Sequence, residues 1–98
     1  MSNQTPTERR RDALKKAEAC VCQDRQSSYG DAEDNFARIA ALASVALADR
    51  LKRPLDAVDV ALFMACVKLG RLAYDRGNLD SWVDLAGYAA CGAGIVTG

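Results

Sequence analysis

Apolar residues in this chain return at intervals of three and four, segment after segment, and no stretch shows the sustained alternation of a half-buried strand. That periodicity confines the chain to helices. Four segments carry it, each with its own start and stop signals. Thr5-Pro6-Thr7-Glu8 supplies an N-cap, a proline at the first helical position and a capping-box acid. Leu14, Ala17 and Val21 then form a thin apolar stripe to about Arg25, and Ser27-Ser28-Tyr29-Gly30 breaks the helix. Asp31 is expected to cap a second helix, with Glu33 and Asp34 in its first turn, where the helix dipole favours negative charge. Its buried face reads Phe36, Ile39, Ala40, Ala43, Leu47 and Leu51, and Lys52-Arg53-Pro54 ends it. Asp56-Ala57-Val58-Asp59 opens a third helix that carries Val60, Phe63, Met64, Val67 and Leu72 inward. Gly77-Asn78 stops it, and Asn78 caps a fourth that runs through Ala90 into a glycine-rich tail. Short connections favour antiparallel neighbours, so the expected fold is an all-α four-helix bundle.

The chain has 98 residues, half of them apolar, which suits one helical domain over 1–98 with a modest core and flexible ends at 1–5 and 92–98. Thirteen basic residues balance thirteen acidic ones, so no net charge draws the chain to nucleic acid or to a membrane surface. The mildly basic start reads as a solvated helix face. Cys20, Cys22, Cys66 and Cys91 form no C-x-x-C pair, and the chain has no histidine. A structural zinc site would therefore need all four thiols to converge, and Ser/His or Cys/His nucleophilic catalysis is excluded. Any chemistry must rest on carboxylates, Lys, Arg, Tyr or a bound metal. With no signal peptide and no apolar run of transmembrane length, the expected setting is a reducing cytoplasm.

Two clusters concentrate the chemistry. Asp80 and Asp84 lie four residues apart on one face of the fourth helix, Tyr88 continues that face, and the neighbours Trp82, Val83, Leu85 and Ala86 are apolar. Asp84 should therefore sit near the edge of a core, where a carboxylate needs a cation or a metal. Lys68 and Arg71 lie three apart on the third helix among Phe63, Val67 and Leu72, and an antiparallel hairpin brings them opposite. Arg71 to Asp84 is the expected pairing. Such a pair is either an interior ion pair that sets helix register or half of a pocket in which carboxylates hold Mg²⁺ and cations hold nucleotide phosphates.

The string Asp80-x-x-x-Asp84-Leu-Ala-x-Tyr88-Ala, with Lys68-x-x-Arg71 and Tyr29-Gly30-Asp31 before it, resembles a group of small phage and prophage proteins over residues from about Arg25 to Cys91. That group is remotely similar to the all-α, MazG-like nucleoside triphosphate pyrophosphohydrolase superfamily. The likeness implies a site in which a Glu-Glu-x-x-Glu helix and a later Glu-x-x-Asp helix bind Mg²⁺ and activate water. Carried over, Glu33 and Asp34 match the first two acids, while the third falls on Ala37. Asp84 matches the last acid; three residues earlier stands Ser81, with Asp80 one place further back.

Two functional readings follow. In the first, Asp80, Asp84, Glu33 and Asp34 hold Mg²⁺, Lys68 and Arg71 neutralise phosphate, and Tyr88, Tyr29 or Trp82 stacks on a base. The result would be a nucleotide binder with or without pyrophosphohydrolase turnover. In the second, the chain is a phage accessory or anti-defence protein in the cytoplasm of a bacterial host. It would bind a host protein or sequester a nucleotide signal, with the Asp/Arg cluster structural. Under either, the alanine-rich second helix (Ala40, Ala41, Ala43, Ala46, Ala48) and the superfamily likeness point to a homo-dimer or tetramer.

Overall fold

A computed structural model of the chain describes residues 3–24 and 32–98. The expected break at 27–30 and the cap at Asp31 lie outside these residues. Four α-helices account for most of the remainder: α1 (Pro6–Ala19), α2 (Ala32–Ala46), α3 (Ala57–Tyr74) and α4 (Leu79–Thr97). No strand occurs among the described residues. No helix among them is long and apolar enough to cross a membrane.

The helix starts follow the caps. Thr5 Oγ1 accepts the Glu8 N–H at 3.1 Å, with Pro6 at the first helical position. Asp56 and Asp59 form a full capping box: Asp56 Oδ1 accepts the Asp59 N–H at 2.9 Å, and Asp59 Oδ2 accepts the Asp56 N–H at 3.0 Å. Asn78 Oδ1 accepts the Ser81 N–H at 2.9 Å.

The ends of helices depart from expectation in three places. Beyond Ala19, α1 widens into a π-helical turn, Cys20–Asp24, which carries Val21 onto α4. The second helix stops at Ala46 rather than Leu51. Leu47 leaves helical geometry at φ −109°, and a 3₁₀ turn follows over Ala48–Arg50. Ser44 anchors this corner, since its hydroxyl donates to the Ala40 carbonyl at 2.7 Å and accepts the Leu55 N–H at 2.8 Å. In the third departure, α4 continues through Gly92 and Gly94 to Thr97. Gly92 lies against Ala61, whose Cβ is 3.6 Å from where a Gly92 Cβ would stand. That packing offsets the roughly 1 kcal/mol that glycine costs within a helix.

The helices α3 and α4 form the central hairpin. Lys68 meets Asp84, and Ala61, seven residues earlier in α3, meets Gly92, eight residues later in α4, so the two helices run antiparallel. Helix α2 packs on α3, and α1 packs on α4, without extensive packing between α1 and α2. The expected four helices are therefore present, but as a hairpin flanked on two sides rather than a closed bundle. The main core is Phe36, Ala40, Val60 and Ala61, edged by Leu55, Met64, Tyr88, Cys91 and Ile95. Ala17, Leu72 and Val83 are also buried. Expected inward residues that instead lie outside are Ile39, Leu47 and Phe63. Apart from Asp59, Lys68 and Arg71, α3 is apolar and offers only a narrow polar face to water, and within the chain only part of it is covered.

The radius of gyration is 15.3 Å, with extents of 53 × 30 × 24 Å; a compact chain of this length would have about 12.6 Å. The π turn sits close against α4, where a Gly87 Cβ would stand 2.9 Å from Val21 Cγ1. Gly87→Ala is expected to cost about 1–3 kcal/mol through that overlap, read as a lower melting temperature. Ser44→Ala, which leaves the Leu55 N–H without its acceptor, should cost a similar amount. An unchanged melting temperature in both variants would contradict these two junctions.

Candidate functional site

The hairpin register decides which charges meet. Lys68 Nζ lies 2.9 Å from Asp84 Oδ2, with side-chain exposures of 13% and 18%. Arg71, the expected partner, instead stands exposed on α3. The reason is rotational. Lys68 follows Ala61 by seven residues and so shares its α4-facing side, whereas Arg71, three residues on, is turned about 60° away. The register is legible in the spacing, because Lys68 and Asp84 lie equally far, eight residues, either side of Arg76 in the connecting turn. Three hydrogen bonds hold that turn: the Trp82 indole N–H donates to the Arg76 carbonyl at 2.8 Å, Asp75 Oδ1 accepts the Gly77 N–H at 3.1 Å, and the Asn78 N–H donates to the Asp75 carbonyl at 3.2 Å.

The other site residues are spread along the molecule. Tyr88 is half-buried and tilts its ring against Phe36, with centroids 6.0 Å apart, as part of the core edge. Asp80 is exposed in the first turn of α4, where an acid suits the helix dipole. Glu33 and Asp34 occupy the first turn of α2 and are exposed. The Glu33 carboxylate lies beside Gly94, 3.9 Å from where a Cβ there would stand. Gly94 is ten residues beyond Asp84 on the same helix, a rise of about 15 Å.

That separation bears on Mg²⁺, which takes oxygen ligands at about 2 Å and needs its carboxylates together. One chain does not gather the acids of α2 with Asp84, and Asp84 is engaged by Lys68. Among the described residues no three His, Cys, Asp or Glu side chains come together as a metal-binding group. The donor set carried over from the hydrolase pattern thus does not fit a metal within one chain. None of the four cysteines forms a disulfide.

A feature that sequence reasoning missed is an open hollow of about 560 Å³ on the outer side of α3. Val67, Gly70, Arg71, Tyr74, Asp75 and Asn78 line it. Its signal is Gly70, a glycine in mid-helix, and nothing lies within 4 Å of where its Cβ would be.

Residues 12–96 match the family described as a domain of unknown function, DUF6378. The chain is 33% identical over 78 residues to the Gene 55 protein of Mycobacterium phage D29, covering 80% of this chain and 49% of that protein. It is 36% identical over 78 residues to the Gene 55 protein of Mycobacterium phage L5, covering 78% and 47% respectively. The chain therefore spans about half the length of these curated relatives. No solved structure matches it.

An ion pair whose work is register responds differently to substitution from one that serves a ligand. Lys68→Met removes the cation beside a mostly buried carboxylate and is expected to cost about 1–2 kcal/mol, between the values for exposed and fully buried pairs. Adding Asp84→Leu should recover part of that loss, because apolar residues of similar volume often replace a buried pair without penalty. Thermal denaturation of the single and double variants checks this. A double variant less stable than Lys68→Met would show that the pair does more than hold the hairpin.

Proposed function

We infer that this chain, which belongs to the family described as a domain of unknown function, DUF6378, is a phage-type accessory protein that acts by protein contact. The observation that carries this reading is the set of large apolar side chains that the helices leave in water. Leu42 and Val45 on α2, Leu62, Phe63 and Leu69 on α3, and Trp82 on α4 are each half exposed or more. Surfaces of this kind mark association sites. On this reading Lys68–Asp84 fixes the hairpin that presents those faces, and Asp80, Glu33 and Asp34 are first-turn acids. The cytoplasm of a bacterial host is the setting such a protein would work in.

A second reading, capture of a nucleotide without turnover, draws on the hollow over Gly70. There Arg71 offers a cation, Tyr74 a ring and Asn78 an amide, the groups that hold phosphate and base. This places the ligand at Arg71 rather than at Tyr88, and asks nothing of a metal.

Thermal shift separates the readings, since a ligand that binds only the native state must stabilise it. Under the contact reading, nucleoside triphosphates, cyclic dinucleotides and modified nucleotides, each with and without Mg²⁺, leave the melting temperature unchanged. A rise of several degrees with any of them, lost in Arg71→Ala or Lys68→Met, would replace contact with nucleotide binding.

A further inference from the structure

We propose that the outer face of α3 docks against the same face of a second copy of this chain. The two helices run antiparallel about a two-fold axis passing between Cys66 and Val67, and each Phe63 sits in the hollow over the other copy's Gly70. The proposal deepens the contact reading and rests on it.

Helical geometry assembles the face. At about 100° per residue, Leu62, Phe63, Cys66, Leu69, Gly70 and Tyr74 fall within a sector of about 140°, and all six are exposed. None carries a charge. Three exposures set the scale: Phe63 67%, Leu62 62% and Tyr74 95%. A helix that is apolar on every side belongs in an interior, and α2 and α4 cover only the side bearing Val60, Ala61 and Leu72.

What makes the occupant a second copy is the relation between Phe63 and Gly70. They lie seven residues apart, two turns and about 10.5 Å along nearly the same line of the helix. Phe63 is a protrusion. Gly70 floors a hollow that nothing in the described residues fills, although glycine in mid-helix costs about 1 kcal/mol relative to alanine. A half-turn about the point midway between them exchanges the two positions, so each Phe63 of a pair meets a Gly70. This is an isologous contact, in which one patch is its own complement. The same half-turn sets the Tyr74 hydroxyl of one copy opposite the Asp59 carboxylate of the other, a donor facing an acceptor. With no charge in the sector apart from Asp59 at its N-terminal edge, the copies meet without like-charge repulsion at the centre.

The experiment is sedimentation of the full chain at micromolar concentrations, with two variants and one chemical probe. The expected mass is twice the 10.5 kDa of the chain. Phe63→Ala removes the protrusion and Gly70→Leu fills the hollow. Both positions are exposed in the single chain, so both variants should keep their helical circular dichroism while dimer affinity falls at least about tenfold, the equivalent of 1.4 kcal/mol. A short bis-maleimide should join Cys66 to Cys66 in the unaltered protein, identified by peptide mapping, and fail to do so in Gly70→Leu. A mass equal to that of the chain, or a dimer indifferent to both variants with Cys66 never joined to itself, overturns the proposal. A monomer that ignores nucleotides refutes only the second copy; nucleotide stabilisation refutes the contact reading itself.

Discussion

The antiparallel register of α3 against α4 is the constraint on which the rest of the molecule depends. Lys68–Asp84 at 2.9 Å and Ala61 against Gly92 fix it at two heights, and the short turn bound by Asp75, Asn78 and Trp82 leaves it little room to slip. A shift of one residue along either helix would rotate side chains by about 100°. Lys68 would leave Asp84, and Gly92 would no longer lie opposite Ala61. The ion pair contributes more to this choice than to stability, since mostly buried pairs repay little beyond their desolvation.

Once the hairpin is set, the flanking helices reach only two of its sides. Helix α2 closes the main core around Phe36 and Tyr88, and α1 with its π turn closes the other side through Val21 and Gly87. The outer side of α3 is left with aromatic and aliphatic residues in water. Each exposed leucine or phenylalanine forgoes about 1.5–3 kcal/mol of burial. For a chain this short, whose own core is thin, that sum is comparable to total folding stability. On the contact reading proposed above, association is part of how the fold is completed.

Much of this is legible in the sequence and some is not. Thr5-Pro6, Asp56 with Asp59, and Asn78 announce three helix starts, because caps act through neighbours in the chain. Asp84 reads from its apolar neighbours as a carboxylate near a core that needs a partner, and a cation among the described residues pairs with it. That partner is Lys68 rather than Arg71. A spacing of three suggests that both cations share a face, whereas the α4-facing line runs through Ala61 and Lys68. Tyr88 reads as a stacking residue only until its own core supplies Phe36. The acids Glu33 and Asp34 match the first two acids of a catalytic pattern whose third falls on Ala37, and their distance from Asp84 depends on how α2 crosses the hairpin, which no local signal records. Phe63 reads as inward because α3 is apolar throughout, and period alone cannot say which side of such a helix is covered. Gly92 and Gly94 suggest a loose tail, since propensity does not see Ala61 across the hairpin.

The central claim, that this fold is completed by contact between apolar helix faces, is tested most directly by the dependence of the melting temperature on protein concentration. For a chain that unfolds from a dimer, mass action links stability to concentration. With an unfolding enthalpy near 0.7 kcal/mol per residue, a hundredfold increase should raise the melting temperature by about 7 °C. A melting temperature that stays constant over that range would mean that the single chain is the complete folded unit, and would contradict the account.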